Sequence, residues 1–162
     1  MKSPFRVLFV CMGNICRSPA AEGVLADTLQ KTDLARRVVI DSAGTGGWHA
    51  GNRADSRMRA CASGRGYDLT SIARQVSLSD FDSFDLILAM DKENLADLRQ
   101  LQSRNPGRAE VRLFCDFCSE HDETEVPDPY YGGDEGFEKV LDLIEDGCRG
   151  ILEHIRTHVD KP

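Results

Sequence analysis

The chain has 162 residues, of which 41% are hydrophobic and 29% charged, with 14 Gly and 6 Pro. That balance suits one globular domain spanning residues 1–162 and excludes collagenous, coiled-coil and disordered architectures. A formal charge of −7 argues against nucleic acid as a partner, since such binding needs a basic face, and no apolar run approaches the ~20 residues of a bilayer span, so no membrane partner is expected.

The start, Met1 to Pro4, leads so quickly into an apolar run that there is no room for a secretory signal. A cytoplasmic location is the expectation, and the six cysteines are read as free thiols rather than a disulfide framework. Phe5 to Cys11 is rich in β-formers and predicts a strand. Arg17 to Lys31 carries Ala20, Ala21, Val24, Leu25 and Leu29 at helical spacing. A second strand is predicted over Val38 to Gly44 and a helix stopped by glycine over Ser56 to Gly66. A third strand, Phe84 to Met90, precedes a helix from Asp91 to about Leu101. Val111 to Phe117 predicts a fourth strand. After an acidic loop, a last helix from Asp134 to His158 places Phe137, Val140, Leu141, Ile144, Cys148, Ile151, Leu152 and Ile155 on one stripe. Strands alternating with helices predict an α/β fold of three layers, a parallel sheet with helices on both faces. Ligands of such sheets bind at the C-terminal ends of the strands.

The loop after the first strand, Cys11-Met12-Gly13-Asn14-Ile15-Cys16-Arg17-Ser18-Pro19, concentrates the chemistry. Gly13 and Asn14 are able to adopt positive φ, which lets successive N–H groups turn inward to form a concave anion site at a helix N-terminus. Arg17 adds two parallel donors suited to phosphate oxygens. A thiol at the base of such a cradle has reason to ionise, Ser18 can donate to it, and Cys11 becomes a nucleophile aimed at phosphorus. The alternative is that Cys11 ends a buried strand and Arg17 is solvated. No Gly-Lys-[Ser/Thr] follows, so this is not the nucleotide-binding P-loop.

This segment resembles the signature of the low-molecular-weight protein tyrosine phosphatases. Asp128-Pro-Tyr-Tyr131 is similar to their acid loop, with further matches at Asp41-Ser-Ala-Gly-Thr45, Ala73-Arg-Gln75 and Met90-Asp91. The resemblance implies a four-stranded parallel sheet in flavodoxin-like order and hydrolysis of phosphotyrosine through a cysteinyl-phosphate, with no metal and no cofactor. Phosphotyrosine proteins, a tyrosine kinase among them, are the partners it implies.

The catalytic candidates are Cys11, Arg17 and Asp128. Asp128 between two prolines is by itself only a turn, and the resemblance makes it the general acid and base. Met12, Gly13, Asn14, Ile15, Cys16 and Ser18 form the substrate cradle. Tyr130 and Tyr131 are either exposed aromatics or the walls of an aryl slot, and Trp48, the only Trp, is either a half-buried anchor or the facing wall. Ser42 is implied to brace Asn14. Cys16 is either a small buried hydrophobe or, as the resemblance implies, the partner of Cys11 in a reversible disulfide that gives redox regulation. Asp91 reads as a helix N-cap, and the four histidines as scattered and solvated. Cys115 and Cys118 form a lone C-x-x-C whose members face opposite sides of a strand, and the two further ligands that zinc would need are not evident. Two rivals are weighed. An arsenate reductase of the same fold needs relay cysteines after the third strand, and residues 71–109 hold none. A non-catalytic phosphate-binding module needs neither a thiol nucleophile nor a proton donor.

Overall fold

The computed structural model describes residues 3–130 and 132–159. Four parallel strands, β1 (Phe5–Cys11), β2 (Val38–Gly44), β3 (Leu86–Ala89) and β4 (Glu110–Leu113), form one sheet in the order β2-β1-β3-β4, the flavodoxin-like order. β1 is central and has no exposed face. Val7, Leu8, Phe9 and Val10 are all fully buried, which is why the strand reads as a continuous apolar run rather than an alternation.

Alternation instead sorts its side chains between two cores. Val7, Phe9 and Cys11 pack with α1 (Arg17–Gln30), α2 (Ser56–Gly64) and α5 (Asp134–Val159). Leu8 and Val10 pack with Phe81 of the short α3 (Asp80–Ser83) and with Leu98 of α4 (Lys92–Gln102) on the other face. The α5 stripe is buried as expected, with Phe137, Val140, Leu141, Ile144, Ile151 and Ile155 at zero exposure. No described helix is long and apolar enough to cross a membrane.

The glycine stop of α2 is a closed cap. Gly66 has φ +89°, and Gly66 N–H donates to Ser63 O at 3.0 Å while Tyr67 N–H donates to Ala62 O at 2.9 Å, the paired bonds of a left-handed C-terminal turn. Two strand expectations are corrected. β3 covers only Leu86–Ala89, and β4 ends at Leu113, after which Phe114–Phe117 coils into a 3₁₀ turn. The turn carries Phe114 into full burial, where the absence of a side chain on Gly147 of α5 admits its ring. α3 and a 3₁₀ turn over Ala35–Arg37 had no periodic signal to announce them.

The strand order places the site. From β1 the chain moves to β2 on one side and later to β3 on the other, so the loops leaving β1 and β3 diverge and open a crevice at their C-terminal ends. Cys11, the last residue of β1, lies at that point.

Candidate active site

Residues 12–16 curl between β1 and α1. Neighbouring loops hold the segment by three carbonyls: Cys11 O accepts from Thr45 N–H at 2.9 Å, Met12 O from Gly46 N–H at 2.9 Å, and Ile15 O from Asp55 N–H at 2.7 Å. The N–H groups of residues 12–16 meet no acceptor among the described residues. Such a set of free donors at a helix N-terminus is an anion cradle.

Asn14 is the hinge of the loop. It has φ +58° and is the only non-glycine at positive φ among the described residues. Gly13, expected to share that conformation, does not. Only 2% of Asn14 is exposed, and three bonds pin its side chain. Its Oδ1 accepts from Arg74 N–H at 3.0 Å, which fixes the amide orientation because a backbone N–H can only donate. Its Nδ2 then donates to Ser42 Oγ at 2.9 Å and Ser18 Oγ at 2.8 Å. Ser42 spends its proton on Glu22 Oε1 at 2.6 Å. Ser18, already accepting from Asn14, has its proton left for Cys11 Sγ at 3.0 Å. A chain of bonds from α1 through β2 thus aims one hydroxyl proton at the sulfur.

Arg17 opens α1 and is 2% exposed. Its Nη1 donates to Asp91 Oδ2 at 2.7 Å and to Val126 O at 2.9 Å, and its Nη2 lies 3.7 Å from Asp128 Oδ2. Burial pulls its pKa down, but the interaction with Cys11, the hydrogen bond to Asp91 and the carboxyl groups of Asp91 and Asp128 outweigh that and hold it above its ordinary value. Asp91 is the expected N-cap of α4, accepting from Asn94 N–H at 2.7 Å, and in addition it fixes the guanidinium, a contact that its local sequence does not announce.

Cys11, Met12, Gly13, Ile15, Cys16 and Arg17 line one cavity together with Asp128, Tyr130 and His49. Asp128 is partly exposed and accepts from Tyr130 N–H at 3.0 Å. Cys16 is buried, and desolvation foremost, with Asp55 second, pushes its thiol pKa well up. All six cysteines are free.

Trp48, expected as the wall facing Tyr130, is not among the residues that line this cavity. The Trp48 ring folds over Gly46 and is 73% exposed, outside the lining of the cavity. Its neighbour His49 occupies the wall instead, its ring centroid 6.1 Å from that of Tyr130. Nor are the other histidines simply solvated. His121 Nδ1 is 2.8 Å from Asp146 Oδ2, and His154 and His158 stack on each other. Tyr131 lies outside the described residues.

Sequence reasoning missed Arg57, which anchors the loop that carries Asp128 and Tyr130. Its Nη2 donates to Tyr130 O at 2.8 Å, its guanidinium covers the Tyr130 ring at 5.4 Å, and its Nε and Nη2 grip the Asp55 carboxylate at 3.2 and 3.0 Å. Because Asp55 N–H holds Ile15 O, this links the Asp128 loop to the cradle. No motif marks it, since Arg at the first turn of a helix is ordinary.

The comparisons agree with this geometry. A low molecular weight protein-tyrosine-phosphatase of Streptomyces coelicolor is 43% identical over 158 residues, covering 96% of each chain. A solved protein tyrosine phosphatase of Entamoeba histolytica superposes with a TM-score of 0.89 at 44% identity, covering 98% of this chain and 99% of that one. The solved Drosophila arginine phosphatase aligns at 31% identity and a TM-score of 0.87, covering 91% and 96%. The family model for low molecular weight phosphotyrosine protein phosphatases matches residues 6–161. With strand order, cradle and sequence in agreement along nearly its whole length, the chain belongs to the low molecular weight phosphotyrosine protein phosphatase family.

Proposed function

We propose that this protein hydrolyses phosphotyrosine in proteins, and small aryl phosphates, by way of a cysteinyl-phosphate. The observation that carries the reading is convergence: Cys11 from β1 and Asp128 from a loop more than a hundred residues later line one cavity, with Arg17 in the same lining and 3.7 Å from Asp128. The phosphoryl oxygens take the free N–H groups of residues 12–16 and the outer edge of the Arg17 guanidinium, donors that oppose charge where it builds up in the transition state. The Cys11 sulfur, held by Ser18, attacks phosphorus in line. Asp128 gives its proton to the departing phenolate oxygen. In the second step Asp128 takes a proton from water, the water oxygen attacks phosphorus, the S–P bond breaks, and phosphate leaves with Cys11 restored.

Substrate preference follows from the walls. Ile15, Met12 and Tyr130 offer apolar and aromatic surface to a planar ring, with His49 opposite. The reading includes a single domain over residues 1–162, a cytoplasmic protein with phosphoprotein substrates, and Cys16 as the thiol that traps oxidised Cys11.

Acid-quenched p-nitrophenyl phosphate turnover tests the mechanism. Phosphate should be found on the tryptic peptide Val7–Arg17 of the native protein, and Cys11→Ser should be inactive while still binding phosphate. Substantial turnover by Cys11→Ser would overturn it. Phosphotyrosine and phosphoarginine peptides assayed side by side test the substrate: turnover of the second alone would refute the aryl assignment.

A further inference from the structure

The fold changes what the C-x-x-C segment is able to do. On a strand, Cys115 and Cys118 would point to opposite faces. In the structure they lie at the 3₁₀ turn over Phe114–Phe117 and the residue that closes it. With 3.0 residues per turn, positions i and i+3 eclipse on one side. Cys118 N–H donates to Cys115 O at 3.1 Å. A turn so closed keeps its end Cα atoms within ~7 Å, and disulfides span Cα separations of ~4.4–6.8 Å.

We propose that Cys115 and Cys118 form a second redox site, a dithiol that a hydroperoxide converts to an internal disulfide independently of Cys11 and Cys16. Neither residue lines the catalytic cavity. The two thiols interact: hydrogen bonding from Cys118 draws the Cys115 pKa below its ordinary value, against burial and the acidic neighbours Glu123, Asp116 and Asp146, while Cys118 is pushed up. Cys115 is therefore the thiol of the pair that gives up its proton more readily and starts the attack on peroxide, while Cys118 keeps the proton that the second step releases. Cys115 is buried, at 8% exposed, and Cys118 only partly buried, so the oxidant the pair admits is a small one. A metal is a poorer fit, since no group of three or more His, Cys, Asp or Glu side chains gathers among the described residues.

The turn is held against α5. Cys118 S–H donates to Leu143 O at 3.6 Å, a bond that disulfide formation gives up, and α5 approaches so closely at Gly150 that a Cβ there would stand 2.0 Å from Phe117 O. The chemistry balances. The Cys115 thiolate attacks the peroxide, the O–O bond breaks, and Cys115 becomes a sulfenic acid as alkoxide or hydroxide leaves. The Cys118 sulfur then attacks the sulfenic sulfur, an S–S bond forms, and water departs with the sulfenic oxygen and the thiol proton. Two electrons pass from the two sulfurs to the peroxide.

Trypsin separates the two pairs, since Leu113–Lys139 contains Cys115 and Cys118 alone and Val7–Arg17 contains Cys11 and Cys16 alone. Native protein would be treated with graded hydrogen peroxide, blocked with iodoacetamide, digested and weighed. The expected result is that Leu113–Lys139 loses both alkylation sites together, lightens by two hydrogens, and recovers both sites after dithiothreitol. The same conversion is expected at the same dose in Cys11→Ser, while in Cys118→Ser the remaining Cys115 proceeds to sulfinic acid that dithiothreitol does not reverse. A Leu113–Lys139 peptide still doubly alkylated when Val7–Arg17 is fully oxidised would overturn the proposal. So would either cysteine linked to Cys61 or Cys148, or a dependence on Cys11. None of these readouts requires phosphatase activity.

Discussion

Replacing Asn14 with Ala tests the bonding chain that aims Ser18 at Cys11. At φ +58° any Cβ crowds the following carbonyl, and alanine lacks the side-chain hydrogen bonds by which asparagine offsets that strain of about 1–2 kcal/mol. The part-buried N–H of Arg74 loses the acceptor it has at 3.0 Å, which costs about 1–3 kcal/mol. Together the loss should be about 2–5 kcal/mol, a large part of the ~5–15 kcal/mol that holds a typical domain folded. Asn14→Gly separates the two contributions, because glycine accepts the left-handed backbone but still strands Arg74 N–H. It should be about 1–2 kcal/mol more stable than Asn14→Ala, with kcat reduced in both because the Ser18 proton is no longer directed at the sulfur. Urea unfolding with unchanged slope gives the stabilities, and p-nitrophenyl phosphate turnover gives kcat. If the Gly and Ala variants unfold at the same midpoint, the left-handed hinge stores no strain. If either keeps native kcat, the chain from Glu22 to Cys11 is not what prepares the sulfur.

Asp128→Ala should slow hydrolysis strongly for phosphate esters with poor leaving groups and only weakly for activated ones, since only the former need the proton; equal losses across a leaving-group series would place the acid elsewhere. Asp146, buried on α5, takes the N–H groups of Ser119, Glu120 and His121 at 3.0 Å each. These bonds and His121 overcome burial and lower its pKa from 3.8 to about 2, a stabilisation of about 2 kcal/mol that is fully present above pH ~4 and lost as pH falls through the folded value. His121 is shifted the other way, raised from 6.5 mainly by its hydrogen bond to Asp146. Its contribution is complete below that ordinary value and lost as pH rises through the folded one. Asp146→Asn should flatten both limbs of a urea stability-against-pH curve, and a curve of unchanged shape would refute the pairing. Gly150→Ala should destabilise the fold despite the ~1 kcal/mol that helix propensity favours, because its Cβ meets the Phe117 carbonyl; a rise in melting temperature would show that the turn yields easily.

What could be read from residues alone was what short-range chemistry dictates. The apolar runs around β1 and β2 and the stripe of α5 follow from periodicity, and the cradle lies within eight consecutive residues, Cys11 to Ser18, so strand end, left-handed Asn14 and helix start follow one another locally. The glycine stop of α2 is equally local. Tertiary structure decided whatever depends on which strands become neighbours. Because β3 pairs with β1, the loop after it brings Asp91 against Arg17, and the later loop carries Asp128 to the same guanidinium. No spacing along the chain encodes those meetings. The same holds for Trp48 and His49, adjacent residues of which the fold turns one to solvent and the other to the cavity. It holds also for Cys115 and Cys118, whose β-rich segment leaves the sheet because α5 offers Phe114 a deeper place than a fourth strand could. Periodicity assigns a side chain to a face of its own element, and only the packing of elements against one another determines what that face meets.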